Sequence, residues 1–266
     1  MATLKLTNVK KTFNKGTVTE KRALTGVNLT LHEGDFVTVI GGNGAGKSTL
    51  LNMIAGVYPL DSGTIELDGT DISLLNEPQR AKYLGRVFQD PMMGTAADMQ
   101  IEENLALAKR RGRHRGLRWG ITKEEREQYP ALLKMLDLGL DTRMSAKVGL
   151  LSGGQRQALT LLMATLTDPK LLLLDEHTAA LDPKTARKVL ELTDKIVSER
   201  KLTTLMVTHN MNDALRLGNR LIMMNAGNVI FDVSGDEKKA LTVPDLLEKF
   251  EKAAGGEFAN DRMLLN

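Results

Sequence analysis

Residues 36 to 49 constrain this chain more than any other stretch. The apolar run Phe36–Ile40 has the length and composition of a buried strand, and it leads without a break into Gly41-Gly42-Asn43-Gly44-Ala45-Gly46. Lys47-Ser48-Thr49 and the residues to Ala55 then show helix formers with helical apolar spacing. The order strand, glycine loop, helix with the spacing Gly41-x-x-x-x-Gly46-Lys47-Ser48 is a phosphate-binding loop. Its glycines let the backbone amides turn inward around phosphate oxygens, and the N-terminus of the following helix adds positive dipole. Lys47 has the reach for β- and γ-phosphates, and the Ser48 hydroxyl suits a magnesium ion. A plain glycine turn has no use for lysine and serine at fixed offsets. A dinucleotide fingerprint also fails, because the third glycine position after Gly42 and Gly44 holds Lys47.

The second informative run is Leu171-Leu172-Leu173-Leu174-Asp175-Glu176. Four consecutive apolar residues ending in a carboxylate predict a buried parallel strand that delivers Asp175 to the sheet edge, where it can hold magnesium directly or through water. Glu176 points elsewhere and suits polarisation of an attacking water. The third run, Leu151-Ser152-Gly153-Gly154-Gln155-Arg156-Gln157, opens an apolar helix with adjacent glycines and a serine, which is another anion-binding cluster of amides. A serine-capped helix start is the plainer reading of the same residues. One active site does not need two phosphate cradles.

These three runs resemble those of the ATP-binding subunit of an ABC transporter, with Leu151 to Gln157 matching that family's signature. The resemblance extends from about residue 3 to 235. It implies an α/β fold, a P-loop NTPase cassette with a RecA-like core, an antiparallel β-subdomain and a helical subdomain inserted at about 90–165. Residues 1–240 would form the ATPase domain and 241–266 a C-terminal helical extension. Residue by residue, the resemblance makes Gln89, in Val87-Phe88-Gln89-Asp90, a magnesium and water ligand that senses the membrane partner. Phe13 takes the place of an aromatic that stacks on adenine, Asp182 belongs to the loop after the catalytic glutamate, and His209 is the histidine that contacts the γ-phosphate. ATP and Mg2+ are the implied cofactors. The cofactor-binding set is Phe13, Gly41 to Thr49, Gln89, Ser152, Gly153, Gly154, Gln155, Asp182 and His209. Catalysis would rest on Glu176, His209, Lys47 and Gln89, and the metal on Ser48, Gln89 and Asp175.

The same resemblance implies two cassettes facing head to tail, so that ATP on one loop is completed by Ser152 and Gly154 of the other. The remaining partners would be integral membrane permease subunits on separate chains and an extracytoplasmic substrate-binding protein, with no nucleic acid. The cassette would sit peripherally on the cytoplasmic face of the membrane. Its importer-like character and the phrase around the signature point to permeases of the amino-acid or sugar type, some with aromatic amino-acid cargo. The alternative, a soluble ABC ATPase acting on nucleic acid or ribosomes, fits less well. Only one phosphate loop occurs, and Lys47 and Ser152 are 105 residues apart without sustained heptads. A regulator that does not hydrolyse would not need both Glu176 and His209.

Composition supports this frame. At about 150 residues per domain, 266 residues make one large domain, and 42% apolar with 26% charged residues is ordinary for a globular chain. There is no cysteine, which removes disulfides, thiolate catalysis and iron–sulfur clusters. No window approaches the roughly 20 apolar residues of a spanning helix, and Met1-Ala2-Thr3-Leu4-Lys5 has no long apolar segment behind a basic leader, so secretion is not expected. The net charge of +3 conceals a local feature. Lys109 to Arg118 carries six basic residues and no acid, leaving 30 basic against 33 acidic residues elsewhere. That run reads either as a solvated loop or as a contact for anionic headgroups or an acidic partner.

Further expectations concern the chain's course. Thr3 to Val9 and Val27 to Leu31 alternate as half-exposed strands, helices are expected near 101–110, 123–137, 153–166 and 183–200, and Thr203 to Thr208 reads as a strand. Leu221 to Met224 and Val229 to Phe231 should form a hairpin, with a last helix from about Thr242. His177 stands where the family pattern has proline, which predicts a less rigid turn after Glu176. A catalytic role for it is the less favoured reading.

Overall fold

The computed structural model describes residues 2–113 and 120–253. In chain order the elements are β1 (Ala2–Phe13), β2 (Lys21–His32), β3 (Phe36–Ile40), α1 (Lys47–Ala55), β4 (Ser62–Leu67), β5 (Thr70–Asp71), α2 (Glu77–Arg80), β6 (Leu84–Val87), α3 (Ile101–Lys109) and α4 (Lys123–Lys134). There follow α5 (Gly153–Thr165), β7 (Leu171–Asp175), α6 (Pro183–Arg200), β8 (Thr204–Val207), α7 (Met211–Arg216), β9 (Arg220–Asn225), β10 (Asn228–Ser234), α8 (Gly235–Ala240) and α9 (Val243–Ala253). They fall into two compact units, Met1–Arg80 with Lys201–Asn266, and Ala81–Arg200.

In the first unit, β1 to β5 other than β3 form an antiparallel sheet in the order β2-β1-β4-β5. The expected alternation is present, with Leu4, Leu6 and Val9 buried, but β1 runs on to Phe13 past irregularities that include a left-handed Asn8 (φ 49°). The second sheet of this unit is mainly parallel. β3 lies between β8 and β9, paired parallel to both, and β9 turns back antiparallel into β10. All five residues of β3 are buried, as its four apolar residues demand. Thr38, its one polar residue, gives its hydroxyl proton to the Ala214 carbonyl at 2.9 Å. The C-terminal helix α9 seats Leu246 and Phe250 in a cluster with Ile40, Met211, Leu221 and Met223.

Arg80 secures the helix behind the phosphate loop. It is 1% exposed, and it donates to the carbonyls of Met53 (2.8 Å) and Ile54 (2.9 Å) at the end of α1 and to Leu75 (2.8 Å) and Ser73 (3.1 Å). Met53 O also accepts from Gly56 N at 3.2 Å at the helix C-cap, but the last carbonyls of a helix run out of intrahelical donors, and a cation at the negative end of the helix dipole is favourable. Gly56, left-handed at φ 83°, leaves room for the guanidinium, because a Cβ there would lie 2.9 Å from Arg80 Nε.

The second unit pairs β6 parallel to β7 and is otherwise helical. Its core joins Ile101, Leu105, Tyr129, Leu133, Leu159 and Leu162 from α3, α4 and α5. α4 stops at Lys134, three residues short of the expected end, and a left-handed Asp137 (φ 51°) follows. Part of the basic run is built into this unit. Arg110 donates to Glu125 Oε2 at 2.8 Å, Arg111 to the Ala164 carbonyl at 2.9 Å, and Lys109 to Gln128 Oε1 at 3.2 Å. His114, Arg115 and Arg118 lie outside the described residues. No helix among the described residues is long and apolar enough to cross a membrane.

Replacing Arg80 with methionine keeps the buried volume and removes every donor. Each buried carbonyl left without a partner costs about 1–3 kcal/mol, so Arg80→Met should lower stability by about 3 kcal/mol or more. Urea denaturation followed by circular dichroism checks this, and a loss below ~1 kcal/mol would contradict the capping role.

Candidate nucleotide site

The phosphate loop belongs to the first unit. Gly41 (φ 154°) and Gly46 (φ 101°) hold backbone conformations open to glycine, and both are also closely packed. A Cβ on Gly41 would lie 2.3 Å from the Met224 carbonyl oxygen, and one on Gly46 2.6 Å from that of Ala23. The turn between β9 and β10 clamps the loop from outside, where Gly227 N donates to the Ala45 carbonyl at 3.0 Å. Within the loop, Ala45 N donates to the Gly42 carbonyl. Lys47 is buried and curls back to donate to Gly41 O (2.8 Å) and Gly42 O (3.1 Å). The N-terminus of α1, carrying Ser48 and Thr49, has no side-chain cap and no acid in its first turn. The loop amides Asn43 to Gly46 therefore adjoin a helix end that favours anions.

Three further residues share this unit with the loop. His209 is exposed just beyond β8, whose Val207 is registered with Val39 of β3, so it leaves the same sheet edge as Gly41. Phe13 ends β1, half-buried, with its ring edge-on to Tyr58 at 5.1 Å between centroids. Opposite Phe13 in the register stands Lys21, whose Nζ lies 3.6 Å from where a Cβ on Gly44 would be. The sequence offered no signal for Lys21, an exposed lysine at a strand end.

The second unit holds the carboxylates. β7 ends at Asp175, whose Oδ2 lies 3.8 Å from an Arg86 guanidinium nitrogen. That guanidinium also sits over Phe88, 4.5 Å from its centroid. Gln89 is exposed two residues beyond β6. Gln157, fully buried on α5, donates to the Phe88 carbonyl at 3.1 Å and so ties the signature helix to the backbone beside Gln89. Glu176 is left-handed (φ 43°), and its carbonyl accepts from Ala179 N at 2.9 Å.

The signature opens α5 as a capping box. Ser152 Oγ accepts from Gln155 N (3.3 Å), and Gln155 Oε1 accepts from Ser152 N (3.1 Å). Ser152 and Gly153 are exposed. A Cβ on Gly154 would come 2.1 Å from Thr185 Cγ2 of α6, so this glycine is needed for close helix contact. Arg156 braces the approach by donating to the Val148, Gly149 and Leu151 carbonyls. Asp182 caps α6, accepting from Thr185 N at 3.1 Å, and bonds from Thr185 hold its carboxyl below the usual range.

The residues expected at magnesium from the sequence, Ser48 in the first unit and Gln89 and Asp175 in the second, carry a hydroxyl, an amide and a carboxylate, all hard oxygen donors. Among the described residues no group of three His, Cys, Asp or Glu side chains forms a metal cage. Magnesium in general is bound through one or two carboxylates plus substrate phosphates.

His177 departs from the expected loose turn. It is 2% exposed, with Nε2 at 3.0 Å from Thr193 Oγ1. Burial pushes its pKa down to about 4.

A strand that runs into a clamped glycine loop with an inward lysine, and a parallel strand pair ending in Asp-Glu, define a P-loop nucleotide hydrolase of α/β build. The chain belongs to the ABC transporter family, whose pattern matches residues 24–179. It is 47% identical over 94% of its length to the tyrosine transport ATP-binding protein of Clostridioides difficile strain R20291, spanning 99% of that protein. A methionine import ATP-binding protein of Enterococcus faecalis is 36% identical over 86% of this chain and 64% of its own length. Among solved structures, a dimeric ATP-binding cassette in a post-hydrolysis state with ADP and Pi is 33% identical, with TM-score 0.73 over 87% of this chain and 98% of that one. The ADP conformation of a cassette from an ABC transporter is 28% identical, with TM-score 0.77 over 94% and 98%. The chain is an ATP-binding, ATP-hydrolysing cassette of the importer kind.

The His177 shift has a definite sign. The folded pKa, about 4, lies below the ordinary value of 6.5, so the unfolded chain binds the proton first. Its contribution is complete above pH 6.5 and is lost as pH falls from there towards 4, by up to about 3 kcal/mol. Urea unfolding at pH 7.5, 6 and 5 should therefore show the stability gap between wild type and His177→Phe shrinking with acid, and a constant gap would contradict it.

Proposed function

We propose that this cassette powers uptake of an amino acid, an aromatic one foremost, through separate membrane permease subunits. The observation that carries the reading is the near full-length 47% identity to a tyrosine transport cassette, in a chain that keeps the complete phosphate loop, Asp175-Glu176 and the signature. The cassette would work peripherally at the cytoplasmic face of the membrane, with an extracytoplasmic binding protein delivering the solute.

Each chain carries one phosphate loop and one signature, so a pair of cassettes arranged head to tail makes two sites. In each, the adenine would stack on Phe13, and the polyphosphate would lie in the amides of Gly42 to Thr49. Lys47 exchanges its Gly41 and Gly42 carbonyls for β- and γ-phosphate oxygens. Lys21, beside Gly44, adds a second positive charge. Ser48, Asp175 and Gln89 would hold magnesium, which supplies charge neutralisation on the phosphates. Glu176 orients and deprotonates the attacking water, while His209 stabilises charge on the γ-phosphate. Ser152, Gly153 and Gly154 of a second copy close over the γ-phosphate, with Gln155 fixing the serine and Asp182 lying in the adjoining loop. Hydrolysis removes the group that joins the two copies, and the Gln89 loop carries the change to the permease.

Glu176→Gln should keep ATP affinity, trap a nucleotide-bound dimer in size-exclusion chromatography and lower kcat by about 10²–10⁴-fold. Turnover within a few-fold of wild type would remove Glu176 as the base. Lys21→Met should raise the KM for ATP several-fold, and more at low salt, where screening is weaker. An unchanged KM at low salt would exclude Lys21 from the site.

A further inference from the structure

Glu176 sits on a turn whose anchorage differs from the pattern expected for the family. His177, the next residue, points inward and is 2% exposed. Its Nε2 lies 3.0 Å from Thr193 Oγ1, near the middle of α6. The Thr193 hydroxyl has one proton and gives it to the Val189 carbonyl at 2.8 Å. Its oxygen must therefore accept from the imidazole, which sets the Nε2–H tautomer of a neutral ring. Nδ1 is then an acceptor, and it has no donor among the described residues.

A proline at this position would fix its own φ through its ring and make no tether. Here the peptide next to Glu176 is tied to a helix by a buried side chain. The same helix touches the signature, because Gly154 packs against Thr185 in its first turn. α6 thus bears both the signature contact and the anchor of the glutamate turn.

We propose that His177 is a positioning residue for Glu176: its hydrogen bond to Thr193 anchors the turn to α6 and thereby aims the carboxylate at the attacking water. This rests on Glu176 being the base. The ring touches no reacting atom and takes no proton in the reaction.

The test is steady-state ATP hydrolysis by the purified full chain, with ATP affinity measured separately using a fluorescent nucleotide. His177→Phe fills the space without a donor, and Thr193→Val removes the acceptor. Small misplacements of catalytic groups carry large rate losses, so each should lower kcat about tenfold, with KM and ATP affinity within about twofold of wild type. The double variant should be no slower than the slower single variant, because both remove one interaction. His177→Gln, whose amide nitrogen reaches the Nε2 position, should restore most of the rate. Unchanged kcat in both single variants, multiplying losses in the double variant, or a rise in KM alone would each overturn the proposal. If His177→Phe does not fold, Thr193→Val and His177→Gln decide it. A Glu176→Gln protein without turnover, beside normal His177→Phe and Thr193→Val proteins, would sink this inference alone. An active Glu176→Gln protein would sink the base assignment and this inference with it.

Discussion

The first unit depends on holding a glycine loop in backbone conformations that few residues adopt. Gly41 and Gly46 meet that demand twice, by their dihedral angles and by the carbonyls of Met224 and Ala23 standing where a side chain would be. The neighbours are fitted to the loop in turn. The β9–β10 turn needs its own left-handed Gly227, because a Cβ there would lie 2.7 Å from the Ala23 carbonyl. Arg80 ties down the far end of α1. A close-packed surrounding of this kind leaves the loop little freedom to relax before ligand arrives, and electrostatic preorganisation depends on that rigidity.

The second unit is arranged around α6 in a comparable way. Its first turn is capped by Asp182 and packs against Gly154, and its middle holds His177. Gln157 and Arg156 extend the same network from α5 to the Phe88 carbonyl and to the turn before Ser152. The polar side chains of this unit thus bond largely to backbone carbonyls of loops that carry candidate site residues. This gives the donors of Gln157 and Arg156 partners and gives those loops a defined place.

Much of this was legible in the residues. β3 and α1 fall at the expected bounds because composition and motif agree there, and β7 and α6 were also clear. The short strands β4 and β6 were missed. Ser62–Leu67 buries only Ile65 and Leu67, too little for a visible alternation, and its strand conformation comes from pairing with β1. The inward turn of His177 was hidden for a different reason. Nothing local marks it, and its partner Thr193 lies sixteen residues away on a helix. The basic run misled in part, since Arg110 and Arg111 serve Glu125 and the Ala164 carbonyl, partners that a charge count does not reveal.

The two helix starts proposed for the nucleotide differ in what their amides already hold. α1 begins at Gly46 without a side-chain cap, so a phosphate there displaces no such bond. α5 begins with a closed capping box, in which Ser152 Oγ accepts from Gln155 N and keeps its own proton available for an acceptor. A cap of this type is worth about 1 kcal/mol, so it holds the hydroxyl in place, while the Gln155 and Ser152 amides it engages are no longer open to an anion. α1 therefore presents more open amides at its start than α5 does. Under the proposed mechanism, that asymmetry would make the signature the weaker of the two holds, which suits a dimer that reopens after hydrolysis, because a signature that bound phosphate as tightly as the loop would resist release.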